Sequence, residues 1–175
     1  DATARMLATA LSAKLGQQVF VENKAGANGA IAADALIKSP ADGQTLWLTS
    51  VGAVAINPAL YPALPYKPLS DLAPVSMVVN NVEMLVVNPA KVPVKNAKDM
   101  QALLKAKPGA FNMGSSGNGT IIHLAGEMFV DALDVQVQHV PYKGMGPMMT
   151  DMISGQVEFG VAAVAAAQGH IASGR

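Results

Sequence analysis

The sequence contains no cysteine, and only 5% of its residues are aromatic. The absence of cysteine excludes a disulfide framework, a thiolate metal site and a cysteine nucleophile. The scarcity of aromatics argues against a flat, aromatic-rich binding face. Alanine, valine, glycine and methionine dominate instead, which is typical of helices packed on a sheet. A length of 175 residues suits one large or two small domains.

The chain also has no excess charge of either sign, with 12 Lys and Arg against 12 Asp and Glu. Its basic residues are scattered, so none of them form a run along a phosphate backbone, and no nucleic-acid partner is expected. No apolar stretch reaches the ~20 residues of a transmembrane helix. The apolar run at Val157–Gln168 is predicted to be a buried strand and turn. No leader peptide is recognisable, which fits a cytosolic protein or a processed or trimmed form.

Helical and strand patterns alternate along the chain. The 3.6-residue periodicity and the stop and cap signals predict helices at 6–15, Ile31–Lys38, Ala97–Lys107, Thr120–Leu133 and Pro147–Ser154. Short apolar runs predict strands at Val19–Glu22, Thr45–Thr49, Val75–Val79, Glu83–Val87, Phe111–Gly114, Val135–Val140 and Val157–Val161. Between them, the proline-rich segment Asn57–Pro74 is predicted to be largely extended loop.

This alternation predicts an α/β fold with βαβ units and parallel sheets. A break at Asn80-Asn81 suggests two doubly wound lobes, residues 1–85 and 86–175. A helix opens the chain with no strand before it, and the last residues resemble the start of another element. Both lobes are therefore expected to be incomplete, and exposed strand edges would favour self-association.

Ligands of open α/β sheets bind beyond the carboxyl ends of the strands. Small residues follow three predicted strands and are the candidate ligand contacts: Ser50-Val51-Gly52-Ala53, Gly114-Ser115-Ser116-Gly117-Asn118-Gly119-Thr120 and Tyr142-Lys143-Gly144-Met145-Gly146.

The segment Ser115–Thr120 is the most informative because it leads from a strand into a helix N-terminus, where N–H groups and the helix dipole attract an anion. Its serine and threonine hydroxyls add donors, and Gly117 and Gly119 permit positive φ. A tight turn with an N-cap explains the same residues equally well. The segment lacks the lysine of a P-loop, the third glycine of a dinucleotide fingerprint and the second glycine of a nucleophile elbow.

Few other side chains suggest chemistry. His123, one turn into the predicted helix, is a candidate ligand contact or a cap for loop carbonyls. His123 and Glu127 share a helix face but are too few for a metal site, and His139 and His170 have no partner at useful spacing. Arg5 and Lys143 are the cations nearest the candidate loops, and Glu158 is unexplained. No metal or cofactor is predicted.

Several motifs together resemble the tripartite tricarboxylate transporter receptors, also called Bug-type solute-binding proteins. The central ones are Ser116-Gly117-Asn118-Gly119-Thr120, His123-Leu124-Ala125-Gly126-Glu127 and His139-Val140-Pro141-Tyr142-Lys143-Gly144. Others, in order along the chain, are Val21-Glu22-Asn23-Lys24-Ala25-Gly26-Ala27, Ala41-Asp42-Gly43, Ala55-Ile56-Asn57-Pro58-Ala59-Leu60-Tyr61 and Leu72-Ala73-Pro74-Val75.

The resemblance implies a periplasmic receptor of the type II periplasmic-binding-protein fold, with two Rossmann-like domains that close on a ligand. It implies a small mono- or dicarboxylate ligand, including amino and citric acids, held by backbone amides, hydroxyls and waters. It also implies membrane transporter subunits as partners, and no catalysis. Where many relatives carry Asp-Asn, this chain has Ala162-Ala163, which suggests a smaller or more apolar ligand group there, or no change if the family uses only the backbone at this position.

Two other functions remain open on the sequence alone. One is an α/β hydrolase acting on a carboxylate or phosphate ester through Ser116 with His123 or His139, for which no acidic triad member is apparent. The other is a sensor domain that binds the same ligand but signals to a protein partner.

Overall fold

The computed structural model describes all residues, 1–175, and divides the chain into two compact units, Asp1–Ala73 and Pro74–Arg175. The sequence-based boundary at 85/86 falls inside a strand, Glu83–Val87, that pairs along its whole length within the second unit. No helix in either unit is both long enough and apolar enough to span a bilayer.

The first unit is helical. It contains α1 (Ala2–Leu15), a 3-10 turn (Ala27–Gly29), α2 (Ala30–Ile37), a π-helical segment (Gly52–Ile56), α3 (Asn57–Leu60) and α4 (Pro68–Asp71). As predicted, α1 stops at Gly16, which adopts a left-handed conformation with φ of 65°. The proline-rich segment is not simply extended, because Pro58 is the second residue of α3 and Pro68 the first of α4, within the first turn, where no N–H partner is needed.

Three strands predicted from the sequence are absent: Val19–Glu22, Thr45–Thr49 and Val75–Val79 have no regular secondary structure. β-branched and apolar residues show only that a segment fits a sheet, whereas a strand also needs a neighbour for its hydrogen bonds. No such neighbour pairs with these segments, and their large side chains stay exposed, as at Phe20 (79%) and Met77 (77%). The prediction of a sheet in the first unit is therefore not met.

The second unit is built around a four-stranded sheet in the order β1-β4-β2-β3. Its elements are β1 (Glu83–Val87), α5 (Ala97–Ala106), β2 (Asn112–Ser115), α6 (Ile121–Leu133), β3 (Gln138–Pro141), α7 (Met145–Ser154), β4 (Phe159–Ala163) and α8 (Val164–Ala172). The last three strands are mutually parallel, as predicted, but β1 runs antiparallel to β4. Helix α8 was not predicted, because its alanine-rich sequence lacks a clear apolar face.

Helices cover both faces of this sheet. On one face, Met100 and Leu104 of α5 pack with Met113 and Phe159. On the other, three methionines of α7 pack with Val86 and Ala167, the latter from α8: Met148, Met149 and Met152. The unit is thus a three-layered α/β structure with helices on both faces of the sheet.

Candidate functional site

The candidate site of the second unit lies at the carboxyl edge of the sheet. Because β2, β3 and β4 are parallel, the segments that follow them emerge at the same edge. β2 is the central strand of the three, so the loop between β2 and α6 lies between the other two connections. The fold therefore brings together three of the predicted ligand segments: 115–120, 142–144 and 162–163.

The β2–α6 loop has the predicted glycine geometry. Gly117 and Gly119 both have positive φ, 130° and 74°. A Cβ atom on Gly117 would lie 3.2 Å from the carbonyl oxygen of Tyr142, so both backbone conformation and space disfavour a side chain. The connection after β3 holds this loop from the side, since Tyr142 N–H donates to Ser115 O at 2.9 Å and Gly144 N–H to Ser116 O at 3.2 Å.

The N-cap interpretation of the loop is confirmed. Thr120 Oγ1 accepts from His123 N–H at 3.2 Å and donates to Gly117 O at 2.8 Å. Ser116 Oγ lies 3.4 Å from the same threonine hydroxyl. The threonine hydroxyl is thus used to begin α6. Ser116 is half-buried, and Asn118 is exposed and makes no hydrogen bond within the chain. Of the loop side chains, Asn118 has donors without a partner, and the Ser116 hydroxyl donates to Thr120 Oγ1 over 3.4 Å, a distance long enough for it to turn to a ligand instead.

Ser115 is buried beneath the loop and stabilises it through hydrogen bonds. Its side chain is fully buried, and its Oγ lies 2.7 Å from Nε2 of His139 and accepts from Gly117 N–H at 3.2 Å. The predicted role of this hydroxyl as a direct ligand donor is therefore not supported, because a ligand cannot reach it. Ser115 shapes the loop instead.

His123 also contacts the loop. It accepts a hydrogen bond from a loop N–H group, whereas the sequence suggested that it caps loop carbonyls. Its Nδ1 accepts from Gly119 N–H at 3.2 Å, and its Nε2 lies 3.4 Å from Glu127 Oε1. The ring stacks on that of His139, with centroids 4.1 Å apart. Burial lowers the pKa of His139, a charge on His123 lowers it further, and Glu127 acts in the opposite direction.

The expectation that His139 lacks a useful partner is wrong. The ligating atoms of His123, Glu127 and His139 all lie within 4.8 Å of one another, and Zn²⁺ takes these donor types. However, a neutral His123 that accepts from Gly119 at Nδ1 carries its proton on Nε2. Coordination through Nε2 would therefore require loss of the contact with Gly119.

The serine–histidine pair needed by the hydrolase alternative is not formed. The Ser116 hydroxyl contacts Thr120, and the serine that contacts a histidine is Ser115, which is fully buried. A nucleophile must reach its substrate within hydrogen-bond distance of its base, and neither serine meets both conditions.

The two flanking segments are differently disposed. Tyr142 turns towards α7, where its hydroxyl donates to Asp151 Oδ2 at 2.9 Å; burial and this contact raise the pKa of Tyr142 to about 12. Lys143 is exposed, and Gly144, with φ of 113°, begins α7. After β4, Ala162 is fully buried and Ala163 is half-buried as the N-cap residue of α8.

The candidate segment of the first unit is the start of the π-helical turn, not a loop leaving a strand. Ser50 and Val51 are exposed, whereas Gly52 and Ala53 are buried. A Cβ atom on Gly52 would lie 3.0 Å from the Asn28 side chain, so a side chain at this position would crowd Asn28.

Asn28 in turn belongs to a polar network that the sequence did not reveal. The fully buried Asn57 donates to Asn28 O and Tyr66 OH, both at 3.1 Å, and accepts from Asn28 Nδ2 at 2.8 Å. The dipeptides Asn28-Gly29 and Asn57-Pro58 mark turns in the sequence, which is the signal that could have pointed to them.

Two acidic residues of the second unit have structural surroundings that the sequence did not predict. Glu158 Oε2 accepts from Asn112, both from its N–H at 2.8 Å and from its side-chain amide at 3.1 Å, which explains a carboxylate beside an apolar strand. Glu83 pairs with Ala163 at the candidate edge and has one buried carboxylate oxygen without a partner. Burial raises the pKa of Glu83.

The architecture described above is that of periplasmic binding proteins. A solved structure described as a periplasmic transporter is 40% identical with a TM-score of 0.93, and this chain covers 58% of it. A Rhodopseudomonas palustris protein solved with adipate is 32% identical, also with a TM-score of 0.93 and 58% covered. MatC from the same organism, solved with bound malate, is 26% identical with a TM-score of 0.89 and 59% covered. Each match extends over 99% of this chain.

The chain belongs to the tripartite tricarboxylate transporter family of receptors, whose family model matches residues 3–175. Among curated relatives, the protein BugT of Bordetella pertussis is 41% identical over 175 residues, which are 99% of this chain and 53% of BugT. The chain thus spans about half the length of such relatives. The resemblance found in the sequence motifs, and the α/β fold class that it implied, are confirmed.

Proposed function

We propose that the protein is a periplasmic receptor that captures a small carboxylate for a tripartite tricarboxylate transporter. The observation that supports this best is the β2–α6 loop, which presents Ser116 and Asn118 at the N-terminus of a 13-residue helix. The positive end of the helix dipole favours an anion there, and both side chains can donate to carboxylate oxygens.

A few hydrogen bonds are enough to bind a small carboxylate at this loop. A charge-assisted hydrogen bond contributes about 1.5–3 kcal/mol, and micromolar affinity requires about 8 kcal/mol. Three or four such contacts therefore suffice without an arginine. The adipate and malate of the neighbouring structures are small dicarboxylates, which favours a ligand of that class. The amino and citric acids that the family resemblance implies are the other candidates.

Two further parts of the proposal concern the whole receptor. Its partners are the membrane subunits of the transporter, which the family assignment favours. Its role involves no catalysis: the acid is bound and released unchanged. In the first unit, the exposed Ser50 and Val51 are the candidate ligand contacts.

The test is calorimetric titration of the full-length receptor with adipate, malate, citrate and glutamate. We expect one of these acids to bind, and Gly117→Val to abolish the binding while far-UV circular dichroism is unchanged. Gly109→Val is the matched control, because Gly109 also has positive φ (72°) but lies in the turn after α5 with open space around its Cβ. Undiminished affinity in Gly117→Val would remove the loop from the ligand site.

A further inference from the structure

We infer that His123 and His139 are positioning residues that hold the β2–α6 loop ready for its ligand, and that affinity is lost when either ring becomes protonated. This inference rests on the proposed function of the same loop. It assigns the histidines a role beneath the loop rather than against the ligand, and it limits which loop groups remain for the carboxylate.

His123 holds the end of the loop. Its Nδ1 is the acceptor for Gly119 N–H at 3.2 Å, so the ring must be unprotonated at that nitrogen. An imidazolium would direct an N–H group at the N–H of Gly119, and the two donors would repel each other. Since Gly119 is buried, the loop would have to rearrange to give its N–H another acceptor.

His139 holds the beginning of the loop through Ser115. The serine Oγ accepts from Gly117 N–H, and its own proton is best donated to Nε2 of a neutral His139, 2.7 Å away. A protonated His139 would itself donate to that oxygen. The hydroxyl proton of Ser115 would then need a new acceptor in a fully buried position, which disfavours the arrangement.

The charges around the two rings set the response to pH. His123 on α6 and His139 on β3 stack with centroids 4.1 Å apart, so a charge on one disfavours a charge on the other. Glu127, one turn further along α6, lies 3.4 Å from His123 Nε2 and acts to raise the pKa of His139. Burial has the opposite effect and is the largest cause of the lowered pKa of His139. His139 therefore stays neutral to a lower pH than an ordinary histidine.

The consequence for recognition is a short list of ligand donors. The N–H groups of Gly117, Gly119, Thr120 and His123 already have acceptors within the loop and α6. The donors that remain for a carboxylate at this loop are then the backbone and side-chain N–H groups of Asn118, the first N–H groups of α6, and the Ser116 hydroxyl once it turns away from Thr120. This set favours one carboxylate in a fixed orientation over a bulky, highly charged anion.

The test compares His123→Asn with His123→Ala in the full-length receptor. Asparagine places an acceptor oxygen where the Nδ1 of His123 lies but does not titrate. With whichever acid of the panel binds, we expect His123→Asn to retain affinity within about threefold at pH 7.5, and His123→Ala to lose about tenfold or more at any pH, because the buried Gly119 N–H loses its acceptor.

The pH profile separates positioning from a merely structural role. Between pH 7.5 and 5.5 we expect the wild type to lose about tenfold more affinity than His123→Asn, because a proton on Nδ1 removes the acceptor of Gly119 N–H and the asparagine oxygen does not titrate. Glu127→Gln should move the wild-type loss to lower pH. His170→Asn, a histidine of α8, is the control and should keep the wild-type profile.

Two results would overturn the inference while leaving the function intact. One is a wild-type receptor and a His123→Asn variant with parallel pH profiles. The other is a His123→Ala variant with wild-type affinity. If no acid of the panel binds to the wild type at any pH, the proposed function itself fails, and the two failures are thereby distinguished.

Discussion

The carboxylate of Glu158 accepts two hydrogen bonds from a single residue, Asn112, at 2.8 Å from its N–H and 3.1 Å from its side-chain amide. Asn112 is the first residue of β2, and Glu158 immediately precedes β4. The contact therefore aligns the starts of two neighbouring parallel strands. The other ends of these strands carry the candidate ligand segments, so the register of the site is set partly from the opposite edge of the sheet.

Replacement of Glu158 by alanine is expected to destabilise the protein by about 2–3 kcal/mol, because both Asn112 donors then lose a charged acceptor in a half-buried position. The measurement is urea denaturation of the full-length receptor. Glu22→Ala is the control, since Glu22 is exposed and pairs with Lys24 at the surface; its cost should stay below about 1 kcal/mol. Equal effects of the two substitutions would show that the Asn112 contact contributes little.

Asn118 and Asn96 allow affinity and stability to be separated. Asn118 is exposed and makes no hydrogen bond within the chain, so Asn118→Ala should weaken acid binding by about tenfold, the value of one hydrogen bond to a charged group, and leave the unfolding midpoint unchanged. Asn96 accepts from Asp99 N–H as the N-cap of α5. Asn96→Ala should do the reverse and cost about 1 kcal/mol of stability with unchanged affinity. Calorimetry and denaturation on both variants test the pair.

Glu83 is expected to make stability depend on pH. Burial raises its pKa above the ordinary glutamate value of 4.5, so the unfolded chain releases this proton at lower pH than the folded one. The stability associated with the protonated form is present below pH 4.5 and is lost as pH rises through the raised pKa. Glu83→Gln should therefore raise the denaturation midpoint at pH 7, and the gain should shrink towards pH 4. If the denaturation midpoint of Glu83→Gln rises by the same amount at every pH, the effect comes from packing and not from the carboxylate charge.

The polar network of the first unit should be costly to break. Asn57→Ala removes the partner of Asn28 and Tyr66 in a fully buried position, so we expect a loss of about 2–4 kcal/mol. Hydrogen-exchange mass spectrometry would show faster exchange confined to the first unit. Asn23→Ala, at an exposed residue that donates to Asp1, is the control and should change little.

The features predicted correctly from the sequence depend on neighbours along the chain. The caps at Asn96 and Thr120 and the helix stop at Gly16 involve contacts within one turn, and each is present. The positive φ of Gly117 and Gly119 follows from the same local logic. The alternation of helix and strand patterns supplied the α/β class, and the family resemblance added the periplasmic-binding-protein fold, because its motifs run through both units.

The features that were not predicted depend on residues distant in sequence. Ser115 and His139 are 24 residues apart, and their contact exists only because β2 and β3 are neighbours in the sheet. The same pairing brings His139 onto His123, which spacing alone could not reveal. Likewise, the strands expected in the first unit have the right residues, but no spacing rule supplies a hydrogen-bonding neighbour.

Oxidation of the methionines of α7 can report how fast the second unit opens. Met148, Met149 and Met152 are 0%, 8% and 3% exposed, whereas Met6, Met77 and Met128 are 75%, 77% and 72% exposed. Peroxide converts accessible methionine to the polar sulfoxide, which the apolar layer beneath the sheet could not accommodate. The exposed sulfurs should therefore oxidise first, and oxidation of the α7 sulfurs should follow only the opening of the unit. Peptide masses from a peroxide time course would then give the rate at which this half of the chain opens.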